Sequence, residues 1–337
     1  MRGFLKISFL VFLIALHISC SEDVEIEKKA LFEIPVGFPE IEFPEDNEPT
    51  EARILLGKKL FNDTRLSITN NVSCATCHQA NLAFTDGKQF AQGVFGRSTE
   101  TNSPTLVNLA YHPYFLKEGG VPNLEQQILV PIQEHNEFNH NILEIAEQLS
   151  KDSIYVRMAL NAYDREFDPF VITRSIAAYE RIFLSGNSRF DKFNFQGKSN
   201  ALSASEKRGL DLFNSEKLKC NQCHSGFNFT NYQFNNNGLY TSYVHEGRFR
   251  ITSDTLDIAK FKTPTLRNIE LTAPYMHNGS IQTLEEVLQH YASGGKNHPN
   301  KSTLITGFDL NDQEQEDVVN FLKSLTDFEF VSNSKFK

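Results

Sequence analysis

The chain has 337 residues, a length that predicts two domains of ordinary size. Hydrophobic residues make up 40% of the chain and charged residues 22%, which excludes a disordered protein and a polytopic membrane protein. The net charge of −9 argues against a nucleic-acid partner, because phosphate backbones attract basic surfaces. With Trp 0 and Met 3, few side chains can relay electrons or bind a metal through sulfur.

The N-terminus has the pattern of an export signal. Arg2 and Lys6 precede an apolar run over 7–19, which is shorter than the roughly 20 residues of a membrane-spanning helix. Cys20 and the polar residues after it are typical of a bacterial lipoprotein signal over 1–20, with Cys20 lipidated. A conventional signal peptide or an uncleaved anchor is the alternative. Residues 21–49 are acidic and rich in Pro and predict an extended tether. The chain is thus expected to be exported to the periplasm and anchored to a bacterial membrane.

Four of the five cysteines form two C-x-x-C-H units. The units are Cys74, Cys77 and His78, and Cys220, Cys223 and His224. Two disulfides, or a zinc ion held by four Cys, would leave both His unexplained. Covalent c-type haem uses all six residues, because each Cys pair forms thioethers to the porphyrin and the His binds the iron. The sequence therefore predicts two c-type haems.

The surroundings of the two units repeat. Thr50 can cap a helix upstream of the first unit, and Ser203 with Glu206 forms a capping box upstream of the second. Gly57–Phe61 is echoed by Gly209–Phe213. This duplication predicts a mostly α protein of two cytochrome c-like helical domains, over 51–195 and 196–330, each carrying one covalently attached c-type haem. Further helices are predicted at 142–150, 152–163, 171–185, 283–292 and 310–325, and no strand.

The second axial ligand of each haem iron decides whether the centre relays electrons or reacts with oxygen species. Met158 and Met276 are the available thioethers, and Met158 lies in a helical pattern that places it in the core. Seven further His are candidates without a distinguishing pattern. The residues alone therefore indicate a dihaem cytochrome, and a non-enzymatic electron carrier remains open.

Several stretches resemble, in order, the bacterial dihaem cytochrome c peroxidases and the related MauG enzymes. They are LGKKLFNDTRLSITNNVSCATCH, TNSPTLVN, LEQQILVPIQEHNEF, CNQCHSGFNF, FKTPTLRNIELTAPYMHNGS and TLEEVLQHYASGG, and they run from about residue 51 to 325. The resemblance implies that the haem on His78 reacts with hydrogen peroxide. It also implies that the haem on His224 collects electrons from a small cytochrome c or cupredoxin. Family members are often homodimers.

The resemblance also assigns site residues. Gln127, Pro131 and Glu137 match the peroxidatic pocket, where a carboxylate above the iron can take a proton from peroxide and return it to the departing oxygen.

Other matches concern the region between the haems. Asn102, Thr272 and Pro274 match positions that hold a calcium ion, Asn102 by its side chain and the others by backbone carbonyls. His277 matches a residue near a haem propionate.

Three departures from the family pattern stand out. Val94 and Phe95 lie where many members have a distal His, which implies a first haem ready for peroxide without reductive activation. Tyr291 lies at the position of the distal Met of the second haem, as in MauG. An anionic phenolate there would stabilise ferric iron, and His290 is the competing ligand.

The third departure lies in the run YFLKEGG over 114–120, where Lys117 replaces the usual Trp and Gly120 the usual Arg. Without that Trp, electrons would have to pass between the two haems through Tyr114, Phe115 or the haem propionates. We expect a peroxidase, with a MauG-like oxidase of a protein or small-molecule substrate as the alternative within the same enzyme class.

Overall fold

The computed structural model describes residues 32–336. The predicted signal peptide, the lipidation site Cys20 and the beginning of the predicted tether lie outside the described residues. Those predictions therefore stay predictions, as does the division of the chain into domains at 195/196. Within 32–336, no helix is long and apolar enough to cross a membrane.

Helices connected by long irregular segments form the described part of the chain, as the sequence predicts. The helices are α1 (Glu51–Phe61), α2 (Cys74–Cys77), α3 (Leu124–Gln127), α4 (Leu129–Gln133), α5 (Ile142–Leu149), α6 (Ser153–Tyr163), α7 (Pro169–Glu180), α8 (Arg189–Asn194), α9 (Ala204–Phe213), α10 (Phe249–Thr252), α11 (Leu284–Ala292), α12 (Asp312–Lys323) and α13 (Phe328–Ser332). Two strands, β1 (Phe234–Asn235) and β2 (Phe261–Lys262), pair antiparallel. Residues 32–336 therefore contain very little sheet.

Helix α7 differs from its predicted range of 171–185. It begins earlier because Asp168 accepts a hydrogen bond from the backbone N–H of Val171 and Pro169 occupies the first turn, where its missing N–H costs nothing. It ends at Glu180, and the chain beyond is tied elsewhere, since the N–H of Ser185 donates to Asn108 Oδ1 at 2.9 Å. A periodic apolar pattern does not show such a long-range partner.

The predicted duplication is visible in how the helices cross. Helix α1 packs on α7, and α9 packs on α12. A Cβ at Gly57 would lie 1.9 Å from the carbonyl oxygen of Ser175, and one at Gly209 would lie 1.9 Å from that of Asp317. Both crossings therefore require glycine, because the two backbones touch there. The same contact is built twice.

Residues 32–49 correct the prediction of a tether. This part of the segment is irregular, yet it lies against the rest of the chain. The ring of Phe38 is 4.6 Å from that of Phe227, between ring centroids. Asn47 is fully buried and donates to Glu125 Oε1 at 2.7 Å. Proline and acidic residues suggested an extended solvated chain, but the apolar and amide side chains between them supply the contacts.

A buried ion pair joins α8 to the TLRN segment over 265–268. Arg267 donates to both carboxylate oxygens of Asp191 at 2.9 Å, and neither side chain is exposed to solvent. Asp191 also accepts from the N–H and the hydroxyl of Ser188. The guanidinium lies 4.5 Å from the ring centroid of Phe38. This pair fixes the start of the second half of the chain.

Candidate active site

The two C-x-x-C-H units place their histidines in the same way. His78 Nδ1 lies 2.8 Å from the carbonyl oxygen of Phe84, and His224 Nδ1 lies 3.1 Å from that of Phe229. Because a carbonyl oxygen only accepts, each Nδ1 carries the proton and Nε2 is the atom left to bind a metal. Both imidazoles therefore keep Nε2 available, as the predicted role of proximal haem ligand would require.

Among residues 32–336, the four cysteines of the two units form neither disulfides nor a shared metal site. All four are free thiols in the structure. Among residues 32–336, no group of three or more His, Cys, Asp or Glu side chains converges in a way that could hold a metal ion. The zinc site considered from the sequence is thus not formed.

A cavity of about 370 Å³ lies at the second C-x-x-C-H unit. Cys220, Cys223 and His224 line it, together with side chains from the first half of the chain. Of the predicted site residues it also contacts Asn102, Gln127, Thr272, Pro274, His277 and Tyr291. Its walls are largely apolar, as a flat macrocycle requires, and the second cysteine pair opens onto it. The residues present therefore fit a c-type haem at this unit.

Glu137 lies beside the first cysteine pair. Burial, followed by the charges of Asp86 and Glu137, raises the pKa of the Cys77 thiol to about 12. Glu137 also contributes to the raised pKa of Cys74, where burial is the largest cause and Glu180 the next. Burial, and then the neighbouring Glu134, raise the pKa of Glu137 itself to about 7. A carboxyl group that exchanges a proton near neutral pH thus stands at the first unit.

The backbone around Glu137 explains its position. The carbonyl oxygen of Pro131, on α4, accepts from the N–H of Phe138 at 3.2 Å, and Glu137 N–H donates to Glu134 O at 3.0 Å. Gln127, at the end of α3, has a buried Oε1 without a hydrogen-bond partner among the described residues. Gln127 therefore has a free hydrogen-bond acceptor at the cavity. Pro131 acts through its backbone carbonyl, which stabilises the turn that contains Glu137.

The loop over 92–98 is fixed against the same turn. Val94 N–H donates to Glu137 O at 2.9 Å, and the Val94 side chain is fully buried. Phe95 is exposed, and the guanidinium of Arg97 lies 4.9 Å from its ring centroid. A valine and a phenylalanine cannot bind iron, so this loop supplies no axial ligand.

Tyr291 lies on the wall of the cavity close to the second cysteine pair. Burial raises its pKa to about 12, against a hydrogen bond from Asn237 that favours the phenolate. Asn237 also donates to Met276 Sδ at 3.1 Å, so it contacts both candidate distal ligands. His290 is turned away, because its Nε2 lies 3.0 Å from the carbonyl oxygen of Asn237.

Asn237 is a site residue that the sequence prediction missed, and the run of three Asn over 235–237 was the available signal. Met276 lines the cavity, whereas Met158 lies on α6 and does not line it; its side chain is partly buried rather than in the core.

Basic side chains collect where the two halves meet. His277 stacks on Phe261 with ring centroids 4.1 Å apart, and burial together with the charge of Lys117 lowers its pKa to about 3. Burial lowers the pKa of Lys117 and of Lys262 to about 8. His112 Nε2 is buried without a partner in the described chain. Groups of this kind fit the carboxylates of haem propionates, which would compensate their burial.

The site and the repeated helical halves together define a class of protein. The profile of the di-haem cytochrome c peroxidase family matches residues 51–200, and a cytochrome c-like profile of the RoxA-like type matches residues 260–293. The chain belongs to the di-haem cytochrome c peroxidase and MauG family, which carries two c-type haems. It is an oxidoreductase of the peroxidase type.

The relatives of this chain include both MauG proteins and cytochrome c peroxidases. The methylamine utilization protein MauG of Methylorubrum extorquens is 35% identical over 88% of this chain and 84% of its own length. The cytochrome-c peroxidase IdrP1 of Pseudomonas sp. strain SCT is 32% identical over 86% of this chain and 84% of its own. A solved MauG-like protein associated with microbial copper homeostasis superposes with a TM-score of 0.86 at 33% identity, over 90% of this chain and 98% of that one.

Proposed function

We propose that this chain is a di-haem peroxidase that reduces hydrogen peroxide to water with two electrons from a small cytochrome c or cupredoxin. The observation that carries the proposal is Glu137, a partly buried carboxyl group beside the first cysteine pair with a pKa raised to about 7. A haem on His78 would supply the iron at which peroxide is reduced. The chain's own residues transfer the proton and leave the first haem accessible to peroxide.

Glu137 has the acid–base properties that the reaction needs. An acid–base group works best when its pKa lies near the working pH, because it can then accept a proton and release it again. Glu137 as carboxylate accepts the first proton of peroxide, and as carboxylic acid it returns that proton to the departing oxygen. Gln127, which matches a residue of the family's peroxidatic pocket, has an unpaired Oε1 that can accept a hydrogen bond from a hydroxyl.

The loop around Val94 leaves the approach to the first haem open. Its hydrogen bond to Glu137 O holds the loop in place, and its side chains provide no iron ligand. We therefore expect peroxide to react with the protein as isolated, without prior reduction to displace a ligand.

Turnover of the complete haem protein tests the proposal. Oxidation of a reduced small cytochrome or cupredoxin should depend on added peroxide, and EPR of the ferric protein should show one high-spin and one low-spin iron. An iron pair that is fully ligated in every redox state, with no peroxide turnover, would instead identify a non-enzymatic electron carrier.

A second candidate function is favoured by Tyr291. Its place on the cavity wall, with Asn237 donating toward its oxygen, is what a phenolate ligand to the second haem requires. Such a ligand stabilises ferric iron and lowers the tendency to accept electrons. It favours a MauG-like oxidase that acts on a protein or small-molecule substrate over a simple peroxidase.

Replacing Tyr291 with Phe separates these two roles. If the phenolate binds iron, Tyr291→Phe should change the ferric spectrum and raise the midpoint potential by on the order of 100 mV, within the range of about 0.8 V that axial ligands span. Tyr243→Phe, at a neighbouring ring near His277, is the control and should leave the spectrum in place. An unaltered spectrum and potential in Tyr291→Phe would rule out ligation.

A further inference from the structure

The two halves of the chain meet through a pair of equivalent contacts. Asn102 N–H donates to His277 O at 3.0 Å, and Lys262 N–H donates to Lys117 O at 2.7 Å. Asn102 and Lys262 each stand three residues before the Thr of a P-T-L motif, and Lys117 and His277 each stand two residues after an aromatic residue at equivalent places. We call these four residues the seam. The duplication of the chain makes the seam nearly two-fold in its backbone contacts.

The side chain of Lys117 breaks that symmetry and connects the halves. Its Nζ donates to the carbonyl oxygen of Asn102 and, at 3.3 Å, to that of His277. One ammonium group therefore joins a carbonyl of the first half to a carbonyl of the second. Lys262 adds a second ammonium at the seam, where its Nζ donates to Tyr114 O at 2.9 Å.

This arrangement disagrees with a calcium ion at the same place. Asn102, Thr272 and Pro274, the ligands that the family resemblance implies, line one cavity with Lys117 and offer only neutral oxygens. Calcium takes six to eight oxygen ligands and gains affinity from carboxylates. The ammonium of Lys117 uses the carbonyl of Asn102 and repels a divalent cation placed beside it. The residues present therefore do not fit calcium.

We infer that the Lys117 ammonium takes the place of a divalent cation at the seam, so that this protein holds its two haem centres together without calcium. The positive charge between the two halves is then supplied by a side chain of the protein rather than by a bound metal ion. The inference concerns the seam alone and stands independently of the reaction proposed above.

Calcium analysis of the complete haem protein tests the inference directly. After dialysis against EGTA, we expect far less than one calcium per chain, and the same ferric EPR spectrum as before. Adding millimolar calcium should not raise the unfolding temperature, because a ligand that binds only the folded state would raise it. Retention of one calcium per chain, or an EGTA-induced spectral change that calcium reverses, would overturn the inference.

Variants at Lys117 test the role of the charge. Lys117→Met keeps the length of the side chain but removes the ammonium, and it should alter the ferric EPR spectrum and lower the unfolding temperature. Lys117→Arg should retain the parent's behaviour, and Lys151→Met, at an exposed lysine, serves as the control. Parent-like spectra and unfolding in Lys117→Met would contradict the inference. If that variant fails to incorporate haem, the calcium content of the parent still decides.

Discussion

Replacing Glu137 with Gln is expected to lower the rate constant for reaction with hydrogen peroxide by about 10²- to 10⁴-fold, the range that a positioned acid–base group contributes. Gln keeps the size and hydrogen bonding of the side chain but cannot exchange a proton. Stopped-flow mixing of the ferric protein with peroxide measures the rate. Haem content and the ferric spectrum should stay unchanged, because Glu137 holds neither haem.

The pH dependence of the same reaction gives a second readout. Because burial and Glu134 raise the pKa of Glu137 to about 7, the carboxylate form is the minority below that pH. The rate should therefore rise with pH through about 7 and then level off, and Glu137→Gln should abolish this rise. Glu134→Gln is the matched control: it removes a neighbouring negative charge, so the rise should move to lower pH with the maximal rate kept. Equal rates in the parent and Glu137→Gln would remove Glu137 from the mechanism.

Breaking the Arg267–Asp191 pair should produce the largest loss of stability. Asp191→Asn leaves a fully buried guanidinium without its countercharge, and removing one partner of a buried ion pair costs about 3–5 kcal/mol. The variant also loses the carboxylate that accepts from Ser188 at the start of α8. Urea unfolding of the haem protein should show a lower midpoint at an unchanged slope.

An exposed ion pair provides the comparison for this measurement. Lys151 and Glu147 lie on the surface with 71% and 74% of their side chains exposed. Glu147→Gln should therefore change the free energy of unfolding by less than about 1 kcal/mol. A similar small loss in Asp191→Asn would show that the buried pair does not stabilise the fold.

Local patterns in the sequence predicted the features that depend on near neighbours. The capping box of α9 is formed by Ser203 with Glu206, as predicted, and Thr283 with Glu286 forms the same motif at the start of α11. The orientation of each C-x-x-C-H histidine is also local, because the carbonyl that holds it lies five or six residues later along the chain.

Features that depend on distant partners could not be predicted in this way. The substitution at Lys117 is plain in the sequence, but its acceptors lie 15 and 160 residues away. The packing of 32–49 depends on contacts such as that of Phe38 with Phe227, on the far side of the chain. A local sequence pattern indicates which side chains lie on the same helix or loop. The burial of residues such as Lys117 and Phe38 depends instead on which distant parts of the chain pack together.

His78 and His224 make the same kind of hydrogen bond to a backbone carbonyl, which limits how the two predicted haem centres can differ. Both imidazoles give their Nδ1 proton to a neutral backbone oxygen, so neither acquires the stronger imidazolate character that a carboxylate acceptor would confer. The electron-donating strength of the two histidines is therefore nearly equal. If one iron is specialised for peroxide and the other for electron storage, as proposed above, the difference would then have to originate on the opposite side of each haem, where we propose Glu137 at one and Tyr291 at the other.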